Sequence, residues 1–203
     1  MKHTRHFATA AIITLGAALL APAAHAEPTA VSLTVSPDAP TTIDISNYYV
    51  DPAADLSGTL IAVDENGTEY TATISGDTAT IAPESTTEAR AALAAGCSRT
   101  NFIFPLGAGV QESVDGCSLI GVNSSATHTY QWDVDAASDG QAAVEGRGYK
   151  PVGQPGDFTY QPYWSGLGRG GGGSGTVTIG EVITVSKIRG SAIGITGVAG
   201  SFY

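Results

Sequence analysis

From Val31 onward apolar residues recur at every second position: Val31, Leu33 and Val35 alternate with Ser and Thr, and Ile43 and Ile45 repeat the period. A period of two marks a strand with one buried face. Leu60, Ile61, Ala62 and Val63 are apolar without a break, which leaves open which of them face inward. Asp64-Glu65-Asn66-Gly67 then predicts a tight hairpin turn, with Asn66 and Gly67 supplying positive backbone angles. Tyr70, Ala72 and Ile74 form the return strand, Gly76-Asp77 turns the chain again, and Ala79 and Ile81 follow. About five short strands in this span predict a small antiparallel sandwich over residues 27–84.

The alternation stops at PESTTEARAALAAGC. Ser85 and Glu88 have capping-box spacing, an Ala-rich run follows, and Gly96 stands at the C-terminal cap position, so a short connecting helix is expected over residues 85–96. Alternation returns in residues 97–203. In THTYQWDVD, His128, Tyr130, Trp132 and Val134 share one face and are expected inside, while Thr127, Thr129, Gln131, Asp133 and Asp135 share the other. FTYQPYW, TVTIGEVITVSKIRG and SAIGITGVAGSFY add at least three further strand segments, and GLGRGGGGSG between them is expected to be a long flexible hairpin tip. The fold class is therefore mainly β: antiparallel β-sandwiches, one Ala-rich connecting helix and one disulfide.

The disulfide expectation follows from the compartment. Residues 1–26 open with Lys2 and Arg5, run through an apolar stretch over residues 8–20, and end in Ala24-His25-Ala26, the plan of a cleaved secretory signal. Export places the chain in an oxidising space, secreted or in the cell envelope, where Cys97 and Cys117, the only two cysteines, are expected to pair. On the chain-entropy model such a loop is worth about 3 kcal/mol. No later apolar stretch is long enough for a transmembrane helix.

Charge narrows the partners. Residues 27–89 hold eleven acids and no Lys or Arg, whereas residues 90–203 hold eight acids and seven bases. Binding phosphate needs clustered cations, so nucleic acid is excluded as a partner. An extracellular protein or a glycan is the class that remains, with calcium as the one cation an acidic face leaves open.

Part of this span resembles a known architecture. The run TTIDISNYYVDPAADLSGTLIAV followed by ATISGDTATIAPES is similar to bacterial immunoglobulin-like and cadherin-like modules, whose Tyr or Phe and Asp-Pro phrase precedes a short paired strand. The resemblance implies a sandwich. In calcium-binding relatives further acids follow the Asp-Pro loop at fixed spacing; here Pro52-Ala53-Ala54 separates Asp51 from Asp55, a departure from that pattern.

Catalytic signals are sparse. With the leader removed His128 is the only histidine, which excludes most zinc sites, and no Gly-x-Ser-x-Gly elbow positions a nucleophile. Asp133, Asp135 and Asp139 lack the glycine and the terminal glutamate of a helix-loop-helix calcium site. Arg169 to Gly175 lacks the Lys-Ser/Thr ending of a phosphate loop and opens onto a strand. No catalytic, metal or cofactor site is assigned. The one candidate contact surface is the aromatic cluster Phe158, Tyr160, Tyr163 and Trp164, for which packing between strands is the competing explanation. The expected function is a non-enzymatic binding or structural module. The alternatives are a secreted hydrolase using two carboxylates, a protease inhibitor presenting the disulfide loop or the glycine tip, and a membrane β-barrel.

Overall fold

The computed structural model describes residues 39–82, 98–154 and 157–203, all within the compact unit Val31–Tyr203. The expected leader, the helix over residues 85–96 and Cys97 lie outside the described residues. Fifteen strands are found: β1 (Thr41–Asp44), β2 (Tyr49–Val50), β3 (Leu60–Val63), β4 (Glu69–Ser75), β5 (Thr78–Ala82), β6 (Thr100–Phe104), β7 (Gln111–Glu112), β8 (Ser118–Gly121), β9 (Thr127–Val134), β10 (Gln141–Gln154), β11 (Asp157–Gly170), β12 (Gly172–Thr178), β13 (Val182–Val185), β14 (Ile188–Ile193) and β15 (Val198–Phe202). The described residues contain no helix, and the protein is mainly β.

The strands form three sheets, ordered β1-β5-β4-β3-β8-β13-β2, β11-β10-β14-β7 and β12-β9-β15-β6. Neighbours are antiparallel except β3 with β8 and β13 with β2, which run parallel, so the first sheet is mixed where the alternation alone predicted only antiparallel pairing. Strands from the acidic segment, β1 to β5, share this sheet with β8 and β13 from beyond the expected helix.

The central strands explain the unbroken apolar runs. Leu60 to Val63 are all buried because β3 is paired on both edges and covered on both faces: Ile61 and Val63 join a cluster with Leu119, Val182, Tyr130 and Trp132, while Leu60 and Ala62 join another with Ile120, Ile183, Tyr70 and Ile81. The β3–β4 turn is built differently from the expectation. Only Gly67 has a positive φ; Asn66 does not, because Asp64 Oδ1 accepts from the amides of Asn66 and Thr68 at 2.8 Å and closes the turn itself.

The glycine-rich segment is a correction: it is no flexible loop. Gly166 to Gly170 complete β11, and Gly172 to Gly175 form β12, laddered to β9 from Gly172↔Asp133 to Thr178↔Thr127. Glycine is needed there for close approach. A Cβ on Gly173 would lie 3.0 Å from Leu167 O and 3.1 Å from Trp132 Nε1, and one on Gly175 would lie 2.9 Å from Leu167 Cδ2. The sequence signal of flexibility was in fact one of tight packing over the Trp132 indole.

The tightest such contact is elsewhere, at Gly121 on β8, where a Cβ would lie 1.9 Å from Gly180 O and 2.9 Å from Ala126 Cβ. Gly121→Ala is expected to cost about 3 kcal/mol or more, whereas Gly58→Ala, where a Cβ meets nothing within 4 Å, should change stability by about 0.5 kcal/mol or less. Denaturant midpoints of the two variants check this.

Candidate functional site

Beneath the β10–β11 pair lies a buried polar clasp. Asp51 follows β2, which holds it in place through its own amide to Ile183 O at 2.8 Å. Its Oδ2 accepts from Tyr149 Oη at 2.7 Å and Thr184 Oγ1 at 3.1 Å and pairs with Arg147 Nη2 at 2.9 Å, while Oδ1 accepts from the Ala53 amide. Arg147 Nη2 also donates to Val185 O at 2.9 Å. Burial pushes the Asp51 carboxyl up, but the Ala53 amide, the Tyr149 hydroxyl, the Arg147 guanidinium and the Thr184 hydroxyl together outweigh it and hold it below the usual range. Burial also raises the Tyr149 phenol, which therefore stays a donor. The Asp-Pro loop thus spends its first acid on an arginine. Asp55 is engaged locally, accepting from Ser57, and Asp133 pairs with Arg99 at 2.9 Å. No group of three or more metal-ligating side chains forms among the described residues.

His128 lies where the alternation placed it, on the buried face of β9 with Tyr130 and Trp132. It is not, however, hydrogen-bonded: both ring nitrogens are buried without a partner among the described residues. Its ring meets Tyr130 edge to face at 4.5 Å, and the Glu69 carboxylate stands 3.9 Å from Nδ1. Burial lowers its pKa to about 4, and burial raises that of Glu69. Burial keeps the imidazole neutral against the Tyr130 ring.

The aromatic cluster does not form one platform. The β10–β11 ladder runs from Ala142↔Gly170 to Gln154↔Asp157, and partners share a face, so Arg147/Trp164, Tyr149/Pro162, Pro151/Tyr160 and Gly153/Phe158 lie on one side. Tyr163 is on the other, where its hydroxyl accepts from the Thr178 amide at 3.1 Å. Tyr160 leans on the core cluster, close to Gly180. Trp164 is covered by Arg189, whose guanidinium carbon is 4.7 Å from the ring centroid. Phe158 alone of the four is an exposed large side chain, at 51%.

What the sequence did distinguish poorly is how far this pair projects. β14 ladders with β10 only from Gln141 to Gly146, and β11 is the sheet edge, so from Lys150 to Pro162 the two arms ladder only with each other, with Tyr160 reaching back to the core cluster and Glu181. Lys150 to Gln154 are all exposed. Pro151 on one arm and Pro162 on the other offer no backbone N–H, which discourages strand addition at either edge. A pocket of about 300 Å³ lies at the root, lined by Tyr149, Lys150, Pro151, Tyr163 and Thr178.

At the other end of the same strands is a trough of about 540 Å³, absent from the sequence reading, lined among others by Val110, Glu145, Gly166, Gly168, Arg169 and Ser191. A β-bulge shapes it. Val144 faces Gly168 and Glu145 faces Gly166, so Leu167 is the extra residue and turns into the core, 4% exposed. Glu145 is held by Arg189 Nε at 2.5 Å. No sequence pattern reveals a bulge of this kind, because it depends on a one-residue mismatch between two strands. No family model, curated protein or solved structure matches the chain.

Two stability measurements follow. Asp51→Asn or Arg147→Met leaves the other buried group without its partner and is expected to cost about 3–5 kcal/mol. Burial lowers the His128 pKa from the ordinary 6.5 to about 4, so the folded state binds fewer protons between those values. Its contribution is full above pH 6.5 and is lost as the pH falls toward 4, by about 3 kcal/mol. Glu69, raised by burial, acts with the opposite sign, losing stability as pH rises past the usual glutamate range. Unfolding free energy measured from pH 7 to pH 4 should fall in the parent and flatten in His128→Leu.

Proposed function

We propose that the chain is an exported, non-enzymatic binding module whose contact surface is the projecting end of the β10–β11 hairpin. The observation that carries this reading is the two-stranded arm, which has no third strand beside it. A ribbon of two strands is marginal by itself in water, yet this one keeps an unbroken ladder to Gln154↔Asp157 and presents Pro151, Gly153, Phe158 and Pro162 on one face and Lys150, Val152, Thr159 and Gln161 on the other. Proline and aromatic groups on a preformed arm contact a partner with little loss of chain entropy. Tyr49 and Val50, both part-exposed at the edge of the first sheet, extend the apolar side, with the Tyr49 ring 5.8 Å from that of Tyr149.

In this reading residues 1–26 direct export, the sheets pack as sandwiches with an immunoglobulin-like N-terminal part, and Cys117 pairs with Cys97; no described cysteine is free. The partner is an extracellular protein or a glycan of the cell envelope. A binding role is favoured over hydrolysis by the trough, where Glu145 is the one lining carboxylate and already carries Arg189. No helix among the described residues is long and apolar enough to cross a membrane.

Fractionation of the producing cells into medium, wall and membrane, followed by sedimentation of the purified protein with isolated wall material, tests the proposal. The parent should sediment with the wall, and Phe158→Ser with Val152→Ser should weaken binding roughly thirtyfold, the loss of about 2 kcal/mol typical of an aromatic anchor. Equal sedimentation of parent and variant, or none by either, overturns it.

A further inference from the structure

The trough on the β11-β10-β14 surface has a charge left over. Six Lys and Arg residues lie among those described, and four are paired: Arg99 with Asp133, Arg147 with Asp51, Lys187 with Glu112 and Asp115, and Arg189 with Glu145. Arg169 and Lys150 have no ion-pair partner there. In a chain with nineteen acids and nine bases, an unpaired arginine is conspicuous, and Arg169 lines the cavity. Glu145, Arg189 and Arg169 together leave one positive charge. Because Glu145 is already neutralised, the site calls for a monoanion and not a zwitterion, whose ammonium would have to displace Arg189.

The cavity also has a shape. Gly166 stands opposite Glu145 in the ladder, and a Cβ there would meet nothing within 4 Å. The missing side chain leaves that space empty, and the volume falls within the range of about 300–1,000 Å³ common to small-ligand sites. Ser191 supplies a hydroxyl, Glu145 a fixed acceptor for hydroxyl protons, and Val110 an exposed apolar rim. Trp164 stacked on Arg189 holds that guanidinium, and through it Glu145, in position. We propose that this trough binds an acidic sugar unit, with the fork of Arg169 taking the carboxylate and Glu145 and Ser191 taking ring hydroxyls. Arginine suits the carboxylate because its planar donors match it in pairs. The site is separate from the projecting hairpin end and does not depend on that surface being the contact surface.

Glucuronate titrated into the full, isotope-labelled protein and followed by backbone amide NMR tests the assignment. Saturable shifts are expected at Gly166, Gly168 and Ser191. Arg169→Gln should weaken binding at least tenfold, Arg169→Lys less, and Gly166→Leu, at a residue outside the positive-φ set, should abolish it by filling the trough. Phe158→Ser should leave these shifts unchanged, so this result and the wall-sedimentation result fail independently. Glucose should bind at least tenfold more weakly. Equal binding of glucose removes the carboxylate role, equal binding of acetate removes the sugar, and no shift with glucuronate up to tens of millimolar overturns the site. Because the Trp132 indole signal reports folding, a variant that loses it is set aside and Arg169→Gln decides.

Discussion

The arrangement of the molecule turns on one buried ion pair, Asp51 with Arg147, and the two hydroxyls that complete it. Taking both charges out of water is costly, and their attraction offsets that only when the remaining hydrogen-bonding positions are filled. Here Tyr149, Thr184, the Ala53 amide and Val185 O fill most of them, while Arg147 Nε stays buried without a hydrogen-bond partner among the described residues. The four side chains come from three places, the turn after β2, β10 and β13, so the clasp ties the edge of the first sheet to the root of the hairpin. Tyr130 adds a second tie, donating to Arg147 O while accepting from the Lys187 amide. The direction in which the hairpin leaves the body is set at this root, and both the arm and the trough lie along the strands it anchors.

The same two strands serve two ends through different devices. Toward Gln154 the ladder is regular and a proline on each arm discourages further pairing, which leaves the side chains as the main contact groups there. Toward Gly170 the bulge at Leu167 breaks the regularity, sends one side chain inward and leaves a depression on the outer face. A regular ribbon projects and an irregular one makes a hollow; the difference is a single residue.

Strand content was legible because alternation is a direct image of a half-buried sheet: the inward set His128, Tyr130 and Trp132 follows from period alone. Leu60 to Val63 could not be oriented because both faces are buried, which only the neighbours β4 and β8 reveal. The parallel partners β8 and β13 were invisible, since local pattern carries no information about residues far along the chain. Composition misled at Gly166 to Gly175, where glycine signals either freedom or crowding and only the Leu167 and Trp132 side chains show which. Asp51 was singled out as an acid in a loop, but its partner Arg147 belongs to a distant strand, and so its role as half of a clasp was hidden. The aromatic cluster was found as a segment yet divided by the very alternation used elsewhere, Tyr163 falling opposite Phe158, Tyr160 and Trp164.

The parallel pairing of β2 with β13 has a bearing on how the chain matures. Tyr49 and Val50 ladder with Val182 and Ile183, residues that lie far along the chain from them. Contacts so far apart in the chain slow folding and prolong exposure of unpaired strands. The first sheet therefore closes only after β13 is in place, and β2, which has no other ladder partner, is the edge that must wait for it.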